Sequence, residues 1–245
     1  MIRPSVTVSV VSHGQNALLN RLLADLAEHC TSELELIVTQ NILDAVPLSA
    51  PARVHRFEAI TNSKPKGFGA NHNAAFARST SQSFFIVNPD VRLLGDPFQT
   101  LAGQLKGRVA AVGPVVLSAS GKVEDSARRF PTLSSLLRKL FVGATGPDYP
   151  TDKGPIEVEW VAGMFIGFDR EAFARVGGFD ERYFLYYEDV DICRRLRNHG
   201  YKVLYDPTVS IVHEARRASR SDPRLMRIHA ASVVRYLMST LRSGS

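Results

Sequence analysis

Residues 178–214 read GFDERYFLYYEDVDICRRLRNHGYKVLYDPTVSIVHE, and this stretch decides the fold that we expect. An aromatic run is followed by apolar residues at helical spacing, and a glycine ends the predicted helix. Two strands are predicted after the helix, at 201–205 and 209–213, with an Asp-Pro turn between them. Three acids mark the helix start: Glu188, Asp189 and Asp191. The stretch therefore predicts a carboxylate cluster beside an aromatic wall.

Acids in the first turn of a helix meet the positive end of the helix dipole, so we expect them to stay ionised. Asp189 and Asp191 stand about 200° apart around a helix, so only one can face a given pocket. The other is expected to cap or brace the turn. An ionised carboxylate at a pocket is a suitable general base for a hydroxyl. The alternative is that both are ordinary helix-start acids.

The composition is that of a globular protein. The chain of 245 residues is 44% apolar and 22% charged, which allows one sizeable core. Its two cysteines, Cys30 and Cys193, have no metal-ligand spacing and suit a reducing compartment. The apolar run at 6–11 is too short for a signal peptide or a membrane span, and no later run is long enough. We therefore expect a cytoplasmic protein.

The net charge of +6 lies entirely on the C-terminal segment. Residues 1–214 carry 23 basic and 23 acidic residues, whereas residues 215–245 carry seven arginines and one acid. The neutral main part argues against nucleic-acid binding. A helix starting at Asp222-Pro223 would group its arginines on one side: Arg220, Arg224, Arg227, Arg235 and Arg242. The opposite side would be an apolar stripe: Met226, Ala230, Val233, Leu237 and Leu241.

Such a basic amphipathic helix has two interpretations. It either makes peripheral contact with an anionic inner leaflet through residues 220–242, or it packs on its own domain or on a second copy in an oligomer.

The N-terminal part predicts a strand, a helix and a strand within about 35 residues, which is a βαβ unit. Its ligand crevice lies at the carboxyl ends of the strands. Four polar residues follow two of these strand ends: Ser12, His13, Gln40 and Asn41. We expect them to line a cleft, and the alternative is that they are ordinary loop residues.

Two further features point to the same cleft. Gly67 and Gly69 open a helix predicted at 74–79, where glycines let the backbone approach a ligand and free amides suit a phosphate. The buried strand predicted at 83–87 runs into Asn88-Pro89-Asp90. A carboxylate placed there suits a hard divalent ion that bridges two phosphates. A simple turn aspartate is the alternative.

The second half contains a loop-rich segment, 118–157, that has the length of a lid. Arg128 in this segment would reach a diphosphate when the lid closes, and a solvated arginine is the alternative. The preceding strand, 110–117, contains Gly113-Pro114, which predicts a sheet edge or a bend. Trp160 would pack in the core or stack on a ligand.

The run from Trp160 to His213 closely resembles the C-terminal half of the catalytic domain of family 2 inverting glycosyltransferases, especially the rhamnosyltransferase-like branch. GFGANHNAAF at 67–76 is similar to the family's glycine loop. The resemblance implies the GT-A fold, a Rossmann-like α/β architecture in which helices flank a mixed central sheet.

The resemblance also implies a division of the chain. The catalytic domain would span 1–214, with a nucleotide-sugar half at 1–117 and an acceptor half at 118–214 that includes the lid at 118–157. A basic helical extension would follow at 215–245.

Specific roles follow from the resemblance. Asp189 would deprotonate the acceptor hydroxyl, and Asp90 and His213 would hold Mg²⁺ or Mn²⁺ with the donor diphosphate. Together with the strand-end residues above, substrate binding is assigned to Ser12, His13, Gln40, Asn41, Lys66, Gly67, Gly69, Asn73, Asn88, Arg128, Trp160, Gly163 and Glu188. The implied donor is dTDP-L-rhamnose, and the implied acceptor is a bacterial surface or cell-wall glycan, often lipid-linked.

The chain departs from the family pattern after the second strand. The family usually has an aspartate there that pairs with the pyrimidine ring, whereas this chain has Gln40 or Asn41. The donor base therefore stays open, and a UDP-sugar is an alternative. A nucleotidyltransferase would need a glycine-rich loop with Arg and Lys, which Ser12-His13-Gly14 does not supply. An inactive sugar- or partner-binding module is the remaining alternative.

Overall fold

The computed structural model describes residues 6–31, 33–51, 53–135, 147–214 and 222–243. The elements of the first half are β1 (Val6–His13), α1 (Asn16–His29), β2 (Leu34–Ile42), β3 (Arg56–Thr61), α2 (Phe68–Phe76), β4 (Ser83–Val87), β5 (Val91–Leu93), α3 (Phe98–Gln104) and β6 (Val109–Ser118). The second half contributes β7 (Val123–Glu124), β8 (Ala127–Arg128), β9 (Ile156–Val158), β10 (Trp160–Val161), β11 (Phe165–Asp169), α4 (Arg170–Arg175), α5 (Glu188–Asn198), β12 (Lys202–His213) and α6 (Pro223–Ser243).

One mixed sheet organises the described residues, in the order β3-β2-β1-β4-β11-β6-β12-β5, with β7 beside β6 and β9 beside β12. β1 runs parallel to β2 and β4, β11 is antiparallel to β4 and β6, and β12 is parallel to β6. The predicted mixed α/β fold is confirmed. The carboxyl ends of β1, β2, β4, β6 and β12 therefore share one edge of the sheet, where α/β proteins place their ligands.

The sheet is buried from both faces. The strand residues of β1, β2 and β4 are almost all inaccessible, as expected of parallel strands that helices cover. On one face α1 packs its leucines Leu19, Leu22, Leu23 and Leu26. The other face holds α5 and an aromatic cluster: Phe76, Phe84, Phe168, Phe173 and Phe179.

Two strand predictions are wrong. β6 is an interior strand despite Gly113-Pro114, and the segment predicted as two strands forms one strand, β12, of 12 residues. The strand that is irregular at this point is β12. Its residue Asp206 pairs with Pro114 of β6, and the next residue of β12 that pairs with β6 is Ser210. Pro114 has no N–H to donate, so a bulge in the partner accommodates it.

Helix α2 begins at Phe68 rather than at residue 74, and its glycines serve packing. A Cβ added to Gly67 would lie 2.8 Å from the carbonyl oxygen of Phe184, and one added to Gly69 would lie 2.7 Å from Phe179 Cβ. The amide of Phe68, predicted to be free for a phosphate, donates to Phe184 O at 2.8 Å. The glycines thus let α2 contact the segment that leads into α5.

We expect Gly69→Ala to lower the free energy of unfolding by about 1–3 kcal/mol, because the new methyl group overpacks against Phe179. Gly103→Ala is the matched control, since Gly103 is an exposed helical glycine with nothing within 4 Å of its added Cβ. The control should gain about 0.5–1 kcal/mol from helix propensity. Urea unfolding measures both variants, and a Gly69→Ala protein as stable as the control would contradict this packing.

Helix α6 packs on its own domain, which is one of the two interpretations of the basic segment. Tyr236 is 1% exposed and packs on Tyr187 with ring centroids 5.4 Å apart, and Ser232 Oγ donates to Leu185 O at 2.9 Å. The predicted apolar stripe is not the buried face, because Met226 is 59% exposed. Within the described ranges, no helix combines the length and apolar character needed to cross a bilayer. Arg220 and the Arg242 side chain lie outside the described residues.

Candidate active site

Two cavities meet at the start of α5. The strand-end cavity, about 450 Å³, lies at the shared carboxyl edge of the strands. The tryptophan cavity, about 520 Å³, lies on the other side and contains Trp160 in its wall. Three residues line both cavities: Tyr186, Glu188 and Asp189. The carboxylates predicted from the helix start therefore lie between two spaces that can each hold a small molecule.

The strand-end cavity collects most of the residues that the sequence predicted. It is lined by His13, Asn41, Lys66, Asn88, Asp90, Gly163, Glu188, Asp189 and His213. They come from β1, β2, the turn after β4, the segment after β10, the start of α5 and the end of β12. Residues up to 200 positions apart meet here because parallel strands end at one edge.

Asp90 and His213 form a pair at the base of the strand-end cavity. β12 pairs with β5, so that His213 lies opposite Val91, and its Nε2 is 3.3 Å from Asp90 Oδ1. Its Nδ1 is 3.0 Å from Glu124 Oε2 on β7. Burial opposes protonation of the ring, but hydrogen bonds and charge from Asp90 and Glu124 outweigh it and raise the pKa of His213 above its ordinary value.

This pair fits a hard divalent cation. Asp90 Oδ1 is buried and faces His213 Nε2 at 3.3 Å, so a cation beside the pair could contact both atoms. The Glu124 carboxylate can fix the tautomer that presents His213 Nε2 to a cation, a common arrangement around metal-binding histidines. Within the described ranges, no group of three or more His, Cys, Asp or Glu side chains forms a fuller shell. A cation held by this pair would therefore need further ligands from a bound molecule or water, and a diphosphate in that role stays a prediction.

Sequence reasoning missed Glu124, which is 89 residues from His213 and lies in a two-residue strand with no local motif. We expect Glu124→Gln to weaken Mn²⁺ binding in the presence of a nucleoside diphosphate by about 10- to 100-fold, because a neutral amide accepts a weaker hydrogen bond from His213 than the carboxylate does. Electron paramagnetic resonance of free Mn²⁺ measures the affinity. Glu214→Gln is the control, since that acid pairs with Arg21 instead. Equal Mn²⁺ affinity in wild type and Glu124→Gln would contradict the role.

Asp189 is held by two backbone amides. Gly163 N donates to Oδ2 at 2.9 Å and Val190 N donates to Oδ1 at 2.8 Å. Asp191, on the other side of the helix, is 3% exposed and pairs with Arg195 at 2.7 Å. Arg195 in turn donates to the carbonyls of Val176 and Gly178, which confirms that one acid faces a pocket while the other braces the turn.

The prediction that the acids at the start of α5 stay ionised did not take burial into account. Burial raises the pKa of Asp189, although the Gly163 and Val190 amides partly offset the rise. Burial and the neighbouring Asp189 charge raise the pKa of Glu188 well above its ordinary value. Desolvation therefore outweighs the helix dipole here, and the Asp189 charge makes Glu188 harder still to ionise.

A strained backbone presents the two acids. Tyr186 and Tyr187 both have positive φ, 69° and 70°, which costs about 1–3 kcal/mol per residue for non-glycine side chains. His229 of α6 contacts both rings, with centroids 5.3 and 5.6 Å away. His229 also lines the tryptophan cavity, and Leu225 lines the strand-end cavity. The packing of α6 therefore supports the conformation that places Glu188 and Asp189 at the junction.

Several predicted binding residues have structural contacts instead. Ser12 is fully buried and donates to Asn16 at 2.8 Å, and Gln40 lies in a strand outside both cavities. Asn73 holds the backbone of Phe179 through both amide atoms. Gly67 and Gly69 pack as described above. These polar residues follow strand ends or helix starts, as predicted, but their side chains bind neighbouring segments.

Asn41 lines the strand-end cavity but its amide is already engaged. Its Oδ1 accepts from Lys66 N and Asn62 Nδ2, both at 2.8 Å, and its Nδ2 donates to Lys66 O at 2.9 Å. The same Nδ2 lies 3.1 Å from His13 Nδ1. The exposed His13 ring is therefore the more available group at this end of the cavity.

Arg128 and Trp160 belong to the tryptophan cavity. They pair across β8 and β10, with the guanidinium carbon 5.7 Å from the indole centroid. Arg128 is also bound to Asp125 at 2.8 Å, and Trp160 is 8% exposed and donates to Arg129 O. The proposed lid at 118–157 thus has paired strands at both ends, and its residues 136–146 lie outside the described ranges.

Comparison with solved structures identifies the fold. The mannosyltransferase PcManGT from Pyrobaculum calidifontis, in complex with GDP-Man and Mn²⁺, superposes with a TM-score of 0.58 at 18% identity. The match covers 89% of this chain, which spans 59% of that one. At this identity the likeness is one of fold. The chain therefore has the GT-A fold of these glycosyltransferase structures.

Two proteins that are similar in sequence add to the comparison of folds. The chain is 28% identical to rhamnosyltransferase WbbL of Escherichia coli K12, over 95% of this chain and 92% of that protein. It is also 28% identical to the N-acetylglucosaminyl-diphospho-decaprenol L-rhamnosyltransferase of Mycobacterium tuberculosis, over 88% of this chain and 78% of that protein. Residues 152–217 match the family described as the N-terminal domain of galactosyltransferase. The chain is therefore similar to rhamnosyltransferases along most of its length.

Proposed function

We propose that the protein transfers L-rhamnose from dTDP-L-rhamnose to a hydroxyl of a bacterial cell-surface or cell-wall glycan, with inversion at the anomeric carbon. One observation carries the proposal. Asp189, held by two amides, lies at the junction of two cavities, and one of these contains the Asp90–His213 pair. Two sequence relatives named as rhamnosyltransferases support the choice of sugar and acceptor.

The geometry supports a single displacement. The donor occupies the strand-end cavity with its diphosphate at Asp90 and His213, and the acceptor occupies the tryptophan cavity. Asp189 takes the proton of the acceptor hydroxyl while the oxygen of that hydroxyl attacks the anomeric carbon. The bond to the nucleoside diphosphate breaks on the opposite face, so no covalent nucleophile is needed. When bound by Asp90 and His213, Mg²⁺ or Mn²⁺ supplies positive charge for the departing diphosphate.

A thermal-shift panel of dTDP-, UDP- and GDP-sugars, with and without Mn²⁺, tests the donor. We expect a Mn²⁺-dependent shift with dTDP-L-rhamnose that is lost in Asp90→Asn. Proton NMR of the product then reports the anomeric configuration. A metal-dependent shift with a UDP-sugar alone would support the alternative donor, which the Gln40 and Asn41 departure from the family pattern allows.

Two further outcomes would contradict the proposal. Retention of configuration in the product would exclude a single displacement. Sugar binding without any transfer to glycan acceptors would favour an inactive binding module.

We also propose that the outward face of α6 makes peripheral contact with an anionic membrane, where a lipid-linked acceptor would be found. Met226, Val234 and Met238 are 59%, 55% and 53% exposed on this helix. Arg224 and Arg227 flank them on the exposed surface. A helix with exposed apolar residues beside arginines suits the interface of anionic lipids, with about 1 kcal/mol of attraction per basic residue.

Co-sedimentation with phosphatidylglycerol vesicles tests the contact. We expect binding that phosphatidylcholine vesicles do not support and that Val234→Glu abolishes. Leu43→Glu is the control, because Leu43 is 69% exposed but far along the chain from α6. A concentration-dependent dimer that Val234→Glu dissociates, without vesicle binding, would show that a second copy covers this face instead.

A further inference from the structure

Glu188 is a buried acid with an unused oxygen. It is the first residue of α5, is 5% exposed, and lines both cavities beside Asp189. Its Oε2 is inaccessible and has no hydrogen-bond partner among the described residues. A buried carboxyl oxygen that no donor stabilises is costly to charge, so this environment favours the neutral form of Glu188.

The neighbouring acid has the opposite environment. Asp189 receives hydrogen bonds from the amides of Gly163 and Val190, and these stabilise its ionised form. Among the described residues, Glu188 has only its own backbone amide as a donor, and burial and the Asp189 charge outweigh it. When two adjacent carboxyls compete for one negative charge, the charge goes to the better-solvated one. The ionised group is then Asp189, and the shared proton belongs to Glu188.

The surrounding charges do not reverse this assignment. The strand-end cavity brings His13, Lys66, Asp90 and His213 to the junction, and His213 is already bound between Asp90 and Glu124. The tryptophan cavity adds Arg128, Arg129, Asp148, Glu159 and His229, and Arg128 is bound to Asp125. Among the described residues, none of these cations forms an ion pair with Glu188.

We propose that Glu188 is held as a neutral carboxylic acid and donates a hydrogen bond to a sugar hydroxyl at the junction of the two cavities. It keeps its proton throughout, so it selects the sugar and does not act as a second base. This inference rests on the proposed function, because it assumes that a sugar occupies the junction. A neutral donor also leaves Asp189 as the only negative carboxylate of the pair.

Infrared difference spectroscopy tests the protonation without any substrate. The carbonyl-stretch band of a protonated carboxylic acid should be present at pH 7 in wild type and in Asp189→Asn, and should disappear in Glu188→Gln. Glu171→Gln, at an exposed helix-start acid, should keep the band. Absence of the band from the wild-type spectrum, or its survival in Glu188→Gln, would overturn the proposal. This measurement does not require sugar transfer, so a negative result would reject the neutral Glu188 without rejecting the proposed function.

Kinetics tests the sugar contact. We expect Glu188→Ala to lower kcat/KM for dTDP-L-rhamnose by about 10- to 100-fold, as for a lost donor to a substrate hydroxyl. Glu188→Gln, which keeps a neutral donor of the same shape, should recover most of that loss. If Gln is as damaging as Ala, the carboxylic acid is not replaceable by an amide donor and the inference is overturned. Wild-type kinetics in Glu188→Ala would equally exclude the contact.

Discussion

Asp189→Asn is expected to lower kcat for sugar transfer by about 10²- to 10⁴-fold, which is the range that a positioned general base contributes. Asparagine is nearly isosteric and can still accept from the Gly163 amide, so the fold and nucleotide-sugar binding should persist. Steady-state kinetics with the identified donor, together with a thermal-shift titration of the nucleotide, separates chemistry from binding. Unchanged transfer would exclude Asp189 as the base.

Asp191→Asn is the matched control, because it lies on the same helix and faces the other way. Asp191 is buried and pairs with Arg195, which is partly exposed and also donates to the Val176 and Gly178 carbonyls. We expect a loss of stability of about 1–3 kcal/mol, typical of a weakened hydrogen bond to a charged group. The turnover of the fraction that stays folded should be much closer to wild type than that of Asp189→Asn.

The pH dependence of the reaction follows from the burial of Asp189. Because the folded-state pKa of Asp189 lies above its ordinary value of 3.8, kcat/KM should fall with decreasing pH at a higher pH than an exposed aspartate would give. The contribution of Asp189 to the stability of the fold has the opposite pH dependence. A carboxyl with a raised pKa stabilises the fold most below its unfolded pKa, and this contribution is lost as pH rises through the folded pKa. As pH rises, the free energy of unfolding should therefore decline less in Asp189→Asn than in wild type, which urea unfolding at several pH values measures.

Tyr236→Ala is expected to lower the free energy of unfolding by about 3–5 kcal/mol, as for other buried aromatic residues replaced by alanine. Tyr236 is 1% exposed, packs on Tyr187 and lies 5.1 Å below the Arg194 guanidinium. Its loss should also reduce kcat, since Tyr187 precedes the acid pair and has a strained backbone that this packing supports.

Met238→Ala is the control for this helix, because Met238 is 53% exposed and its removal should change stability by less than about 0.5 kcal/mol. Chemical unfolding and kinetics on the two purified variants measure both effects. If Tyr236→Ala unfolds at the wild-type urea concentration, α6 contributes little to the domain. If it is destabilised but keeps full turnover, α6 does not support the acid pair.

The amino-acid sequence by itself determined the local elements and the chemistry at their ends. Alternating apolar runs predicted β1, β2 and β4, and the helix of α5 was predicted from the spacing of its apolar residues. Asp90 and the acids that start α5 were selected from their positions at the end or start of a regular element, whereas Asp189 as the base and His213 as a metal ligand followed from the family resemblance. Such signals are local, since they depend on hydrophobic period and on the groups left unpaired at element ends.

Tertiary structure decided which of these residues share a cavity and which bind their neighbours. In the folded protein the Asn41 amide is engaged in hydrogen bonds, Ser12 is buried, and Gly67 and Gly69 allow close packing. Tertiary structure also brought Glu124 to His213 and raised the pKa values of Glu188 and Asp189 through burial. These outcomes depend on contacts between residues far apart in the chain, and desolvation depends on everything packed around a group. No pattern of neighbouring residues contains that information, which is why the helix dipole alone did not predict the raised pKa values of the two acids.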